Sequence, residues 1–170
     1  YLNKVDSIRI NDSKSIEIAY DLQSGSYVEY CQSNQDYWMA YTCEIGEIIK
    51  PHLKIGDRIL DCGTGEMTTL LGVADNSFPQ NVHTYAFDIS ISRILFGRKF
   101  VQKNSNSGFS ENLFPFVADL TAIPLLSKSM EVVMTCHALE PNYGREEELL
   151  QELFRVASRK VILFEPSYEN

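Results

Sequence analysis

The sequence predicts one α/β domain, in which a mainly parallel sheet is covered by helices on both faces. Short apolar segments alternate with longer amphipathic segments from residue 58 to residue 165, as strands do when helices connect them. The 170 residues have about the length of one domain and contain no internal repeat, low-complexity tract or linker rich in proline and glycine. We therefore assign residues 1–170 to a single three-layered, doubly wound domain.

Roughly the first 35 residues are predicted to form a lead segment ahead of the sheet. Residues 7–20 alternate between apolar and polar around the turn Asn11–Lys14, and this period of two predicts a small hairpin. A helix over Ser15–Tyr30 is the alternative interpretation. The next helix has one apolar stripe and is ended by Pro51. The stripe consists of Trp38, Tyr41, Ile45, Ile48 and Ile49.

Beyond Pro51 the pattern predicts five strands and three connecting helices. The strands are Arg58–Cys62, His83–Phe87, Phe114–Ala118, Glu131–Cys136 and Lys160–Glu165. The helices are Met67–Ala74, Ile91–Lys103 with Ser90 as its cap, and Arg145–Ala157. The residues predicted to face the core are Ile94, Leu95 and Phe96 in the second helix and Leu149, Leu150, Leu153, Phe154 and Val156 in the third. Because crossover connections are right-handed, the chain should wind outward from the first strand in both directions, which gives the spatial order 3-2-1-4-5.

Composition argues against several classes of protein. The net charge of −8 is unfavourable for a nucleic-acid partner, because binding to phosphates requires a face rich in lysine and arginine. No apolar run approaches the ~20 residues that cross a bilayer. The amino terminus lacks the features of an export signal, so we expect a cytoplasmic protein with no membrane partner. The four cysteines show neither C-x-x-C spacing nor a nearby histidine, which predicts free thiols and no metal site.

The end of the first predicted strand is the first candidate for a ligand site. In open parallel sheets, ligands bind beside the carboxyl ends of the strands. Here the strand leads through Asp61 into Gly63 and Gly65, two glycines that let the backbone turn tightly and let a ligand approach it closely. A carboxylate at Asp61 would repel a pyrophosphate, whereas it suits a ligand that carries a cationic amine.

Two further carboxylates follow the next two strands. Asp88 lies 25 residues after Gly63, which is close to the spacing at which an acid accepts hydrogen bonds from ribose hydroxyls. Asp119 follows the third strand, where its carboxylate could accept a hydrogen bond from an adenine amine while Ile89 and Leu120 flank the ring. Three carboxylates around a G-x-G loop thus predict a ligand that has an amine, a ribose and an adenine, and that lacks phosphate.

Several segments together form a recognisable set of motifs. They are Leu60–Gly65 (LDCGTG), Asp88, Ala118–Asp119, Ser129–Val133 (SMEVV), His137–Glu140 (HALE), Leu150–Val156 and Leu163–Pro166. This set resembles the motifs of class I S-adenosylmethionine-dependent methyltransferases, in particular the type 11 group that includes the ubiquinone and menaquinone methyltransferases. The resemblance covers roughly residues 36–166.

The resemblance implies a Rossmann-like methyltransferase fold, S-adenosyl-L-methionine as the cofactor and methyl transfer to an unidentified small molecule. In related enzymes an aromatic helix ahead of the first strand covers the cofactor, which implicates Tyr37 in contact with its methionine carboxylate. The predicted cofactor-binding residues are Tyr37, Asp61, Cys62, Gly63, Gly65, Asp88, Ile89, Asp119, Leu120 and Cys136.

The chain also departs from the family's pattern. Met67 replaces the usual third glycine of the loop, and Pro141 stands where the family often has a histidine. The family adds a helix and an antiparallel hairpin after the fifth strand, which completes a seven-stranded sheet. This sequence stops after the fifth strand, so we expect its carboxy-terminal strands to be missing. The edge exposed in this way predicts self-association of the chain.

His137 is the candidate general base, because it follows the fourth strand, where an acceptor would meet the sulfonium methyl group. An imidazole titrates near neutral pH and suits proton abstraction. The alternative is an imidazole that only holds the loop after the strand. Three other functions stay open at this point: a non-catalytic cofactor-binding or interaction domain, an NAD-dependent oxidoreductase, and another reaction on the same fold such as aminopropyl transfer.

Overall fold

The computed structural model describes residues 12–105 and 108–166. Three helices precede the sheet: α1 Ser13–Leu22, α2 Ser26–Ser33 and α3 Gln35–Ile49. Strands and helices then alternate, except that β3 is followed directly by β4. They are β1 Arg58–Cys62, α4 Thr68–Ser77, β2 His83–Asp88, α5 Ile91–Asn104, β3 Leu113–Val117, β4 Met130–Cys136, α6 Glu146–Val156 and β5 Ala157–Phe164.

All pairings in the described sheet are parallel, and the strand order is β3-β2-β1-β4-β5. The predicted order 3-2-1-4-5 is therefore confirmed. Asp61 lies beside Ala86 of β2 and Met134 of β4, which places it at the centre of the sheet near the carboxyl ends of three strands. Within the described residues β3 and β5 are the two edges, and self-association through an edge stays a prediction.

The core lies on both faces of the sheet, as the alternation of side chains along β1 requires. Leu60 is fully buried and packs with Leu149 and Leu153 of α6 on one face. Ile59, its neighbour in sequence, packs with Ile49 of α3 on the opposite face and is also fully buried. Each of these side chains contributes about 1.5–3 kcal/mol of hydrophobic stabilisation. Together they hold the end of β1, and with it Asp61, in a fixed position.

The predicted hairpin at residues 7–20 is wrong for the part that the structure describes. Residues 13–22 form α1, and residues 7–11 lie outside the described residues. The helix begins here because the Asp12 side chain accepts a hydrogen bond from the Ser15 N–H at 2.9 Å. Ile16 and Tyr20 lie four residues apart, so a helix places both on the side that faces the sheet. The alternative interpretation, a helix over Ser15–Tyr30, has the correct type but is divided between α1 and α2.

Three residues that were expected to face the core are exposed instead. The exposed fraction is 51% for Leu95, 45% for Phe96 and 57% for Phe154. In α5 the buried stripe follows Ile94, Gly97 and Val101, and the helical period of 3.6 residues turns Leu95 and Phe96 away from it. The strands β3, β4 and β5 also begin one to three residues earlier than expected.

Candidate functional site

The loop between β1 and α4 forms the floor of the site. Gly63 and Gly65 have positive φ angles of 72° and 55°, which glycine adopts without strain. A Cβ atom on Gly63 would lie 2.5 Å from the Cβ of Ala138, so no side chain fits there. Met67, at the position of the family's third glycine, also has a positive φ of 56°. Its conformation costs about 1–2 kcal/mol, which the complete burial of its side chain offsets.

Asp61 is a buried carboxylate with unused hydrogen-bonding capacity. Its exposed fraction is 3%, and its Oδ1 atom has no hydrogen-bond partner among the described residues. Burial raises the pKa of this carboxyl group to about 7, although the neighbouring Thr64 hydroxyl, itself without a hydrogen-bond partner among the described residues, acts to lower it. An unpaired buried acceptor is costly, and an ammonium group placed against it would remove that cost. The side chain therefore fits a cationic ligand at the floor of the site.

Asp88 is committed to the shape of the loop. Its two carboxylate oxygens accept hydrogen bonds from the N–H groups of Gly65 and Ser90, both at 2.9 Å. The side chain is buried, and burial raises its pKa above the ordinary value. Each oxygen keeps a second lone pair for a ribose hydroxyl. Contact with a ribose stays a prediction for this residue.

A small cavity lies where the adenine was expected. It has a volume of about 60 Å³ and is lined by Ile89, Asp119 and Leu120 together with Ile16 and Tyr20 of α1. That volume holds about two water molecules, whereas pockets for drug-sized ligands measure about 300–1,000 Å³. Helix α1 therefore lies over the predicted adenine position, and an adenosyl group fits only if α1 withdraws.

Asp119 is partly engaged by α1 and by its own loop. Its Oδ1 atom accepts hydrogen bonds from the backbone N–H and the hydroxyl of Thr121, at 2.9 and 2.8 Å. Burial opposes its ionisation, but hydrogen bonds from Ser13 and Thr121 outweigh burial and hold the pKa of Asp119 below its ordinary value. The carboxylate is therefore ionised at neutral pH, as an acceptor for an adenine amine must be.

A second and larger cavity, which we call the large chamber, adjoins the glycine loop. Its volume is about 710 Å³, and its lining includes Asp61, Gly63 and Gly65 together with aromatic side chains of α1, α2 and α3. Those aromatic side chains are Tyr20, Tyr27, Tyr30, Tyr37, Trp38 and Tyr41. The rings of Tyr37 and Tyr41 are nearly parallel at 6.1 Å. Such a lining suits a ligand with apolar or planar parts.

Cys136 and His137, at the end of β4, form another wall of the large chamber. The Cys136 Sγ lies 3.1 Å from the hydroxyl of Tyr41, and burial raises the pKa of this thiol to about 11. His137 has a positive φ of 54° and is exposed. Its backbone N–H donates a hydrogen bond to the carbonyl of Phe164 at 2.9 Å. His137 lines both cavities, as do Tyr20, Gly63 and Pro141.

The structure therefore divides the predicted site residues into three groups. The large chamber contains Tyr37, Asp61, Gly63, Gly65, Cys136 and His137. The small cavity contains Gly63, Ile89, Asp119, Leu120 and His137. The third group, Cys62 and Asp88, lies behind the glycine loop: Cys62 is fully buried in the core, and Asp88 holds the loop through backbone hydrogen bonds.

Sequence reasoning missed two buried charged residues beside the loop. Glu66 is 1% exposed, and its two oxygens accept hydrogen bonds from the N–H groups of Gly25 and Val28 at 2.7 Å, which fastens the start of α2 to the loop. Arg93 is 6% exposed and lines the large chamber. A signal for Arg93 exists in the sequence: a cation in the first turn of a helix opposes the helix dipole.

The described residues contain neither a cluster of metal-ligating side chains nor a helix that could span a membrane. Between residues 12 and 105 and between 108 and 166, no group of three histidine, cysteine or acidic side chains could hold a metal ion. No helix in the same ranges is long and apolar enough to cross a bilayer. All four cysteines have free thiols.

No family model and no curated protein sequence matches the chain. Solved structures do match. One, from Methanococcus maripaludis, is assigned as an S-adenosyl-L-methionine-dependent methyltransferase; it is 14% identical, with a TM-score of 0.62 over 89% of this chain and 63% of that one. A second is a complex of the Trm112 methyltransferase activator and an assigned methyltransferase from Haloferax volcanii, with 17% identity and a TM-score of 0.60 over 81% and 55% of the two chains.

A third solved structure, the [4+2]-cyclase SpnF, is 15% identical and matches with a TM-score of 0.57 over 68% of this chain and 41% of that one. This chain thus spans between about two fifths and two thirds of the length of the three structures. The comparisons show that it has the Rossmann-like fold of class I S-adenosylmethionine-dependent methyltransferases. The cyclase shows that the fold alone does not decide the reaction.

Proposed function

We propose that the chain binds S-adenosyl-L-methionine and transfers its methyl group to a small-molecule acceptor. One observation carries the proposal: the buried Asp61 carboxylate, beside a G-x-G loop at the carboxyl end of the central strand, has an oxygen without a hydrogen-bond partner among the described residues. A cationic amine fits this position, and the amino-acid end of the cofactor supplies one. The same buried carboxylate is a poor fit for the pyrophosphate of a dinucleotide, which it would repel when ionised.

Each end of the cofactor has candidate partners in the chain. Asp61 would accept hydrogen bonds from the amine, and the glycine loop would lie against the amino-acid chain. Ile89 and Leu120 would flank the adenine, with Asp119 accepting a hydrogen bond from its amine. For the adenosyl end to fit, Ile16 and Tyr20 must leave the small cavity, so α1 acts as a cover that opens.

The chemical demand on the protein is modest. When bound, the cofactor supplies an electrophilic methyl group on a sulfonium sulfur. The protein then has to align the acceptor with that group and to exclude water. Alignment alone can contribute ~7–11 kcal/mol towards the barrier. A chamber lined by aromatic side chains, with His137 at its junction with the cofactor's cavity, suits this task.

The first test is binding of the demethylated product, S-adenosylhomocysteine. At one hundred times its Kd, a ligand stabilises the native state by about 2.7 kcal/mol, which raises the Tm of a chain of this length by several degrees. NADH should produce no shift. The measurement is thermal unfolding of the folded chain with each ligand at millimolar concentration. A shift with NADH and none with S-adenosylhomocysteine would indicate an oxidoreductase, and binding without turnover would indicate a cofactor-binding or interaction domain.

His137 is the proposed general base for an acceptor with a poorly ionised hydroxyl group. The change His137→Gln should lower turnover by about 10²–10⁴. Cofactor affinity should change far less, because the proposed hydrogen bonds to the adenosine come from Asp88 and Asp119 on other strand ends. The matched control is His83→Gln, because His83 is the first residue of β2 and lies away from the carboxyl ends of the strands. Near-normal turnover of the His137 variant would mean that the reaction proceeds by alignment alone.

A further inference from the structure

Arg93 has an unusual position for an arginine. Its side chain is 7% exposed, yet it lines the large chamber beside the glycine loop. The Nε atom is buried and has no hydrogen-bond partner in the described part of the chain. A guanidinium group carries five N–H donors, and a buried donor without an acceptor is costly. The group is therefore held ready for a partner that the described residues do not provide.

The neighbours of the guanidinium group fix its position without using its donors. The rings of Tyr20 and Tyr27 both lie against it, with the Cζ atom 4.5 Å from each ring centroid. Tyr27 belongs to α2, so the proposed withdrawal of α1 removes only the Tyr20 ring. Contacts of this kind engage the flat face of the group and leave its N–H edge free. Gly65 lies on another side of the guanidinium group. A Cβ atom added to this glycine would lie 3.4 Å from the Arg93 Cζ. The close approach keeps the group beside the loop.

The buried carboxylates Asp88 and Glu66 both act on the Arg93 charge, but the ion pair with Glu66 is too long to give the Nε atom a hydrogen bond. The side chains of Glu66 and Arg93 are 3.9 Å apart, which is beyond hydrogen-bond distance. Both oxygens of Glu66 are already bonded to backbone N–H groups of α2 at 2.7 Å. Arg93 also lies in the first turn of α5, where the helix dipole disfavours a cation. A carboxylate of a ligand would supply the hydrogen-bond acceptor that the Nε atom lacks.

We propose that Arg93 binds a carboxylate group of the ligand in the large chamber, so that this chamber recognises acids. Arg93 is the one arginine or lysine among the described residues that line the chamber, and its planar N–H fork matches a carboxylate. The inference rests on the proposed function, because it concerns the same cavity. The carboxylate has two possible sources, the amino-acid end of the cofactor and an acidic acceptor.

The experiment separates these sources by calorimetry. For the cofactor, S-adenosylhomocysteine is compared with its decarboxylated amine analogue. For the acceptor, benzoate is compared with benzamide, with S-adenosylhomocysteine saturating. Each pair is measured on the wild type, on Arg93→Gln and Arg93→Lys, and on Arg98→Gln, an exposed arginine of the same helix that serves as the matched control.

The wild type and Arg98→Gln should prefer the carboxylate of one pair by about ten- to hundredfold, as expected for charge-assisted hydrogen bonds. Arg93→Gln should lose that preference, and Arg93→Lys should keep part of it. Loss in the first pair assigns the carboxylate to the cofactor, and loss in the second assigns it to the acceptor. A wild type that is indifferent to both pairs overturns the inference even if Arg93→Gln does not fold. So does an Arg93→Gln variant that folds and keeps the preference. If S-adenosylhomocysteine does not bind at all, the proposed function itself fails.

Discussion

The change Asp61→Asn should stabilise the free protein at pH 8, while it should lower the affinity for S-adenosylhomocysteine by about ten- to hundredfold. The two effects have opposite signs because the buried carboxylate is unfavourable until a cation pairs with it. Burial raises the pKa of Asp61 from the ordinary 3.8 to about 7, so its ionisation opposes folding. The amide of asparagine has no charge to bury, but it also has no charge to offer an amine.

The dependence on pH follows from the same pKa. Stability that comes from a protonated Asp61 is fully present below about pH 4 and is lost as the pH rises towards 7. Binding should show the reverse trend, since the amine requires the ionised carboxylate: affinity should rise up to about pH 7 and then level off. The difference between wild type and Asp61→Asn, in urea unfolding and in calorimetry across pH 5–8, isolates these effects.

A matched control for Asp61→Asn is Glu111→Gln, which removes an exposed carboxylate far from the loop in sequence. It should change neither stability nor binding beyond a few tenths of a kcal/mol. An Asp61→Asn variant that binds S-adenosylhomocysteine as tightly as the wild type at pH 8 would contradict the assignment of Asp61 to the amine. A variant that is less stable than the wild type at pH 8 would contradict the account of the buried charge.

The change Asp88→Ala should be the most destabilising substitution at the site. It leaves the N–H groups of Gly65 and Ser90 without their acceptors, and each buried donor left in this way costs about 1–3 kcal/mol. We expect a loss of about 2–6 kcal/mol in the free energy of unfolding. Cofactor affinity should fall by one to two decades as the loop loosens. Asp88→Asn, whose amide oxygen can still accept from Gly65 or Ser90, should recover part of both losses.

A 2′-deoxy analogue of S-adenosylhomocysteine tests whether Asp88 also contacts the ribose. If it does, the wild type should bind the analogue more weakly than the parent compound, and Asp88→Ala should bind both alike. Equal discrimination by the two proteins would show that Asp88 only shapes the loop. The ligands are compared on folded protein, as judged by circular dichroism, so that instability does not imitate a loss of binding.

The sheet and the centre of the site could be predicted because their signals are local. The strands around Asp61 are short apolar runs with β-branched residues. Because the connections between parallel strands cross over in the right-handed sense, the order of the strands then follows. The fold class and the strand order 3-2-1-4-5 are accordingly confirmed. The glycine loop could be found in the same way, since two glycines and an acid lie within five residues.

The lead segment could not be predicted in this way. Ile8, Ile10, Ile16, Ile18 and Tyr20 fit a period of two. In α1, Ile16 and Tyr20 line the small cavity at the strand ends, whereas Ile18 is half exposed. The helix begins at the cap that Asp12 provides. Asparagine, aspartate and serine favour turns as well as helix caps, so the sequence of residues 11–15 fits either structure. The position of α1 over the small cavity depends on contacts with strand ends more than 60 residues away, such as the hydrogen bond that the Ser90 hydroxyl donates to Asp21.

The pair Glu66 and Arg93 shows a second limit. Glu66 bonds to residues 38 and 41 positions earlier, and Arg93 meets Tyr20 and Tyr27 from another helix. Neither contact has a periodic signal along the chain. Only the unfavourable place of a cation in the first turn of α5 marks Arg93 as exceptional.

The central claim is tested most directly by a crystal structure of the chain grown with S-adenosylhomocysteine. We predict that the amine lies within hydrogen-bond distance of Asp61 Oδ1 and that the adenine lies between Ile89 and Leu120. We also predict that α1 has withdrawn, so that Ile16 and Tyr20 no longer fill the small cavity. A ligand bound away from the glycine loop, or an unchanged α1 over a site that stays without ligand at millimolar concentration, would contradict the account.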